Sequence, residues 1–119
     1  MMGDITKNFS QKEFACKCGC GLDVINIGLV NRLQVIRDIV QVRMIINSGC
    51  RCIDHNRAVG GASVSYHLAG YAADFCFPKD SSDNLYFEIS MLLKDWSGGI
   101  HYYKDQRFIH VDIGKERRW

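Results

Sequence analysis

The chain has 119 residues and a mass of 13.6 kDa, enough to close one hydrophobic core and too little for two. Its 47% hydrophobic and 24% charged residues, with one proline, exclude a disordered or fibrous protein. The 15 basic and 13 acidic residues leave a formal charge of +2 scattered along the sequence, which gives nucleic acid no continuous footprint.

From the N-terminus, Met1 to Lys7 carries acidic and polar residues where a signal peptide needs an apolar stretch. This predicts synthesis in the cytoplasm without a Sec leader, and no window reaches membrane-spanning length. Ser10-Gln11-Lys12-Glu13 has the S-x-x-E form of a capping box and predicts a short helical turn, stopped by Gly19-Cys20-Gly21. Cys16, Cys18 and Cys20, with Cys50, Cys52 and Cys76, make an even and dense set. In a secreted chain that would indicate disulfides; without an export signal, reduced thiols are the first expectation, with disulfides or a second metal as alternatives. The C-x-C spacing is tighter than the C-x₂-C of a zinc knuckle and argues against the metal.

Asn26 can cap a helix over 27–41, where Leu29, Leu33, Ile36 and Val40 recur at three- and four-residue intervals and read as core. Arg43 to Asn47 is a short apolar run and reads as a buried strand. Residues 50–70 lack periodicity and read as one long functional loop. Ala72 to Phe77 follows as a strand ended by Pro78. A second helix runs from the Ser81-Ser82-Asp83 caps to about Trp96, with Leu85, Ile89, Leu92, Leu93 and Trp96 on one face, and Gly98-Gly99 stops it. Ile100 to Tyr103 and Phe108 to Ile113 form a hairpin around Lys104-Asp105-Gln106. The last residues, Lys115 to Trp119, are locally basic and read as a solvated end. Together these predict one α+β domain over 1–119, with a small antiparallel sheet and helices packed on one side.

Two of the four histidines sit beside carboxylates in unusual settings. In Ser65-Tyr66-His67-Leu68-Ala69-Gly70-Tyr71-Ala72-Ala73-Asp74 the glycine bend lets His67 and Asp74 point at one spot. In Phe108-Ile109-His110-Val111-Asp112, strand alternation puts His110 and Asp112 on one face and the aliphatic residues on the other. Two imidazoles and a carboxylate suit a catalytic Zn²⁺ with an open fourth position, yet the same residues could be hydrogen-bonded structural groups.

The run Ser48-Gly49-Cys50-Arg51-Cys52, then His55-Asn56-Arg57 through Gly60-Gly61, then S-x-H-x-x-G-x-A-x-D from Ser65 to Asp74, and H-V-D from His110 to Asp112 resembles the zinc D-Ala-D-Ala carboxypeptidase family, peptidase family M15. The likeness extends to Asn8-Phe9-Ser10, Glu13-Phe14, the C-x-C-G-C-G segment and the terminal Arg-Arg-Trp, and the fold it implies is the hedgehog/DD-peptidase fold. The resemblance implies one catalytic Zn²⁺ on His67, Asp74 and His110, with Arg51 holding substrate and stabilising negative charge, and Ser65 lining the cleft. It implies a zinc metallopeptidase acting on peptidoglycan stem peptides, either a D,D-carboxypeptidase or a phage-type endolysin released to the wall. The expected partner is that peptide, bound by a monomeric chain, with no nucleic acid and no membrane. The pattern departs from the family at the general base. Relatives carry an acid three or six residues before the last zinc histidine, where this chain has Arg107 and Lys104. Asp112 is the first choice for that role or else orients His110, and His101 and Asp105 are reserves. The missing acids favour, as the alternative, a zinc-containing module that binds wall peptides without cutting them; a structural capsid or tail component is a further one.

Overall fold

A computed structural model of the chain describes residues 3–62, 65–115 and 117–118. Met1, Met2, Glu116 and Trp119, parts of the two termini noted above, lie outside the described residues. The Ser10 capping box is present and opens a 3-10 turn, Gln11–Phe14, whose Phe14 is fully buried. Helix α1, Ile27–Val40, begins where the Asn26 side chain accepts from the Leu29 N–H at 3.1 Å and ends at Gln41, in the left-handed region at φ 55°. Strand β1, Ile45–Ser48, starts two residues later than the apolar run suggests, and a bulge interrupts it between Ile46 and Ser48.

The expected twenty-residue loop is not structureless. It contains helix α2, Ile53–Ala58, and a 3-10 turn, Tyr66–Ala69. Six helical residues are too few to display a periodic face. Their cap is also not one of the usual oxygen side chains, because the Cys52 thiol accepts from the His55 N–H at 3.3 Å.

Strand β2, Ala72–Cys76, is followed by helix α3, Asp83–Leu92, which tightens into a 3-10 turn over Leu93–Asp95. Trp96 therefore lies beyond the helix, and Leu92, expected on its apolar face, is 45% exposed. Strands β3, Gly99–Tyr103, and β4, Phe108–Asp112, form the hairpin. A last short strand, β5, Arg117–Arg118, runs parallel to β3. The strand order is β1-β2-β4-β3-β5, all antiparallel except the β3/β5 pair.

The pleat sorts this sheet into two chemistries. Ala73, Phe75, Ile100, Ile109 and Val111 join Leu29, Leu33 and Ile36 of α1 and Tyr86 and Ile89 of α3 in one apolar cluster. The architecture is thus α+β, with the apolar face of the sheet packed against helices. The alternate residues, Asp74, His101, His110 and Asp112, belong to the opposite face, and the register sets Asp74 across from His110 and His110 across from His101. No helix among the described residues is long and apolar enough to cross a membrane.

Candidate metal centre

His67 reaches this polar face from the 3-10 turn after α2. The Ser65 Oγ accepts from the His67 N–H at 3.2 Å, and Gly70, at φ 73°, turns the chain back into β2. The ring is 3% exposed, and its Nδ1 lies 2.6 Å from the Gly49 carbonyl. A carbonyl can only accept, so Nδ1 carries the proton and Nε2 turns a lone pair toward Asp74, 3.3 Å from Oδ1.

His110 is built the same way from the other side. Its Nε2 donates to Asp112 Oδ2 at 2.7 Å, and its Nδ1 faces the same Asp74 Oδ1 at 2.8 Å. The inward nitrogens of the two histidines and the Asp74 oxygen lie within 4.8 Å of one another. Three groups whose unprotonated forms are all acceptors cannot face each other without a positive charge between them. In the metal-free protein a proton does this. Burial opposes charging of His110, but hydrogen bonds to Asp112 and Asp74 and their charges outweigh it and raise its pKa. Burial likewise opposes ionisation of Asp74, but the hydrogen bond from His110 and its positive charge hold the carboxyl at about 2. The donor set fits a Zn²⁺ ion: two imidazoles whose far nitrogens are already hydrogen-bonded to acceptors, and one ionised carboxylate.

Arg51 lines the same cleft, of about 330 Å³, together with Ser65, Tyr66, Tyr103 and Phe108. Its guanidinium is held by Ser48 Oγ at 3.0 Å and Asn56 Oδ1 at 3.1 Å, with Asp74 Oδ2 at 3.4 Å. Asn56, 4% exposed, donates in turn to the Ala62 carbonyl at 2.8 Å. A larger surface groove of about 470 Å³ near Phe9, Glu13 and Arg43 shares no residue with this cleft and contains neither histidine nor cysteine.

Asp112 does not stand free beside the cleft as a base would. It exposes none of its surface, and both oxygens are occupied: Oδ1 accepts from the Gly99 and Gly114 N–H groups at 2.8 and 3.0 Å, and Oδ2 from His110 and Arg117 at 2.7 and 2.8 Å. Burial raises its pKa, but His110 and the two backbone N–H groups bring it down to about 2. The geometry is that of a group orienting His110 from behind. Of the reserves, Asp105 sits exposed in the hairpin turn, whereas His101 is directly across from His110. Arg107 points away from the site, donating to the Ser81 carbonyl at 2.6 Å and pairing with Asp83 at 3.2 Å.

Two contributors were missed in the sequence. The Trp96 Nε1–H donates to the Asp112 carbonyl at 2.8 Å, and Arg117, read as part of a solvated tail, reaches the Asp112 carboxylate and lies over the Tyr66 ring at 5.5 Å. Only the resemblance of the terminal Arg-Arg-Trp gave any signal for Arg117.

The sequence model of the family described as Peptidase M15 matches residues 7–112. The chain belongs to peptidase family M15. Within it, the chain is 32% identical over 102 residues to the peptidoglycan L,D-endopeptidase MepK of Escherichia coli strain K12, covering 80% of this chain and 54% of MepK. MepK of Shigella flexneri matches with the same identity and coverage. This M15 chain thus spans about half the length of the curated relatives it matches. No solved structure matches significantly. Within the matched range the fold brings together His67 from the 3-10 turn, Asp74 from β2 and His110 from the neighbouring strand β4.

Proposed function

We propose that the chain is a Zn²⁺-dependent peptidase that cuts an internal peptide bond of bacterial peptidoglycan. The observation that carries this reading is the convergence of His67 Nε2, His110 Nδ1 and Asp74 Oδ1 at the wall of an open cleft, each imidazole aimed by an acceptor behind it. When bound, Zn²⁺ supplies Lewis acidity and makes water acidic near neutral pH. The likeness to MepK supports the wall peptide as substrate and an endopeptidase mode of cutting.

The chain's own groups then divide the work. His67, Asp74 and His110 hold the cation, and Asp112 fixes the ring of His110. Arg51 meets the negative charge that develops on the scissile carbonyl, a contribution whose loss costs on the order of 10²-fold or more in rate. Ser65 lines the cleft and caps the turn that carries His67, leaving its O–H to donate to a bound peptide. Among Asp112, Asp105 and His101, the last suits proton transfer best. Its register places it directly across from His110 on the neighbouring strand.

One observation favours a second reading, a zinc-bearing module that binds wall peptides without hydrolysis: Asp74 is the only carboxylate among the described residues lining the cleft. Mass spectrometry of muropeptides after incubating zinc-loaded protein with purified peptidoglycan separates the two. Loss of cross-linked or full-length stems, absent with His67→Ala, supports the endopeptidase. Release of free D-Ala alone would make it a D,D-carboxypeptidase, and peptidoglycan retention without any cut bond would make it a binding module.

A further inference from the structure

Outside the cleft, four thiols converge. The Sγ atoms of Cys16, Cys18, Cys20 and Cys52 all lie within 4.8 Å of one another. Cys16 and Cys18 are 3.4 Å apart, Cys16 and Cys52 3.8 Å, and Cys18 and Cys52 3.7 Å. Four thiolates bound to Zn²⁺ at about 2.3 Å form a tetrahedron with edges of about 3.8 Å. A disulfide would need about 2.05 Å, and none of the six cysteines is in one.

The tight C-x-C-x-C spacing, which argues against a metal on an extended chain, is resolved by two glycines. Gly19 and Gly21 adopt φ 83° and 90°, and a Cβ at either would meet nothing within 4 Å, so their role is conformational rather than steric. They coil residues 16–22 into a loop closed by the Cys16 N–H donating to the Leu22 carbonyl at 2.7 Å, and alternate thiols turn to one side.

Backbone donors are aimed at the sulfurs. The Cys52 N–H donates to Cys16 Sγ at 3.4 Å, and the His55 N–H to Cys52 Sγ at 3.3 Å. Burial raises the Cys16 pKa, but the Cys52 and Cys18 N–H groups and the neighbouring Cys18 and Cys52 thiols bring it down to about 7, while the Cys16 and Cys20 thiols push Cys18 up to about 12. The other two cysteines are occupied elsewhere: Cys50 is buried and donates to the Leu22 carbonyl, and Cys76 donates to Asn47.

We propose that Cys16, Cys18, Cys20 and Cys52 hold one Zn²⁺ in a closed, four-coordinate structural site distinct from the His67, Asp74 and His110 centre. Four soft donors with no position left for water are the pattern of a structural rather than a catalytic zinc. Binding releases thiol protons to solvent and needs no oxidant. The site pins the N-terminal segment to the residue that caps α2, next to Arg51, and so braces the loop from which Arg51 reaches Asp74.

The test is metal content of the full chain purified under reducing conditions, by inductively coupled plasma mass spectrometry. The wild type should carry two zinc ions per chain. Cys18→Ser and Cys20→Ser, both at exposed positions, and His67→Ala should each carry one. Cobalt-loaded His67→Ala should show the intense thiolate-to-metal charge-transfer bands of a tetrahedral S₄ site, which decides the matter even if a cysteine variant fails to fold. His67→Ala free of zinc and without those bands, iron in place of zinc, or a disulfide among these four cysteines under reducing conditions would each overturn the proposal. If the cysteine variants lose zinc while His67→Ala keeps the wild-type amount, the thiol site stands and the cleft reading fails.

Discussion

Asp112 carries a negative charge with no exposed surface, and four donors surround it. A carboxylate so placed acts through the imidazole it orients, and such partners typically contribute 10- to 100-fold in metal affinity. Asp112→Asn should therefore weaken zinc binding by about that factor in a chelator competition, with kcat at saturating metal changed far less. Were Asp112 the proton acceptor, kcat would collapse while affinity held. The same residues set the acid limit of the metal-free protein. Asp74 and Asp112 fall from 3.8 to about 2 on folding, so their stabilisation is complete above pH 3.8 and is lost as pH drops through 2. His110 is shifted the other way, from 6.5 upward, so its contribution is present below pH 6.5 and fades as pH rises through its folded value. Thermal melts of the metal-free chain should peak between those limits, and Asp112→Asn should lose part of the acid-side slope.

At the scale of elements, the hairpin β3–β4 and the segment after α3 hold the rear of the site. The Trp96 indole donates to the carbonyl that ends β4, and Trp96→Phe keeps most of the apolar bulk while orphaning that acceptor. Urea unfolding should show a loss of about 1–3 kcal/mol. Leu33→Ala, in the α1 face of the core, should cost about 2–5 kcal/mol without altering zinc affinity, whereas Trp96→Phe should reduce both. Legibility in the sequence followed local signals. Asn26, the 29-33-36 stripe and the Ser82 cap define α1 and the start of α3, because caps and periodicity act within a few residues. Helix α2 was not legible, since it is short and capped by a thiol. The end of α3 was overrun because Leu93 and Trp96 continue the apolar spacing after the helix has tightened and stopped.

Across the molecule, the metal-ligand candidates His67, Asp74 and His110 were readable from spacing and resemblance, since a turn and two alternating strands suffice to orient them. Strand order, the pairing of His101 with His110, and the return of Arg117 to Asp112 were not, because they arise from long-range pairing that leaves no local periodicity. The same global coupling predicts how the fold responds to chelation. A ligand that binds only the native state adds about 2.7 kcal/mol at a hundredfold excess over its Kd. A chelator should thus lower the melting temperature of the wild type more than that of His67→Ala, as scanning calorimetry would report.

Strand β4 alternates strictly, with Ile109 and Val111 in the hydrocarbon layer and His110 and Asp112 on the reverse. One added or deleted residue within it would exchange the two sets, burying an imidazole among aliphatic groups and exposing valine and isoleucine at the cleft. Lineages carrying this strand can therefore drift by substitution at either layer but not by length, so its spacing should persist even where catalysis has been abandoned.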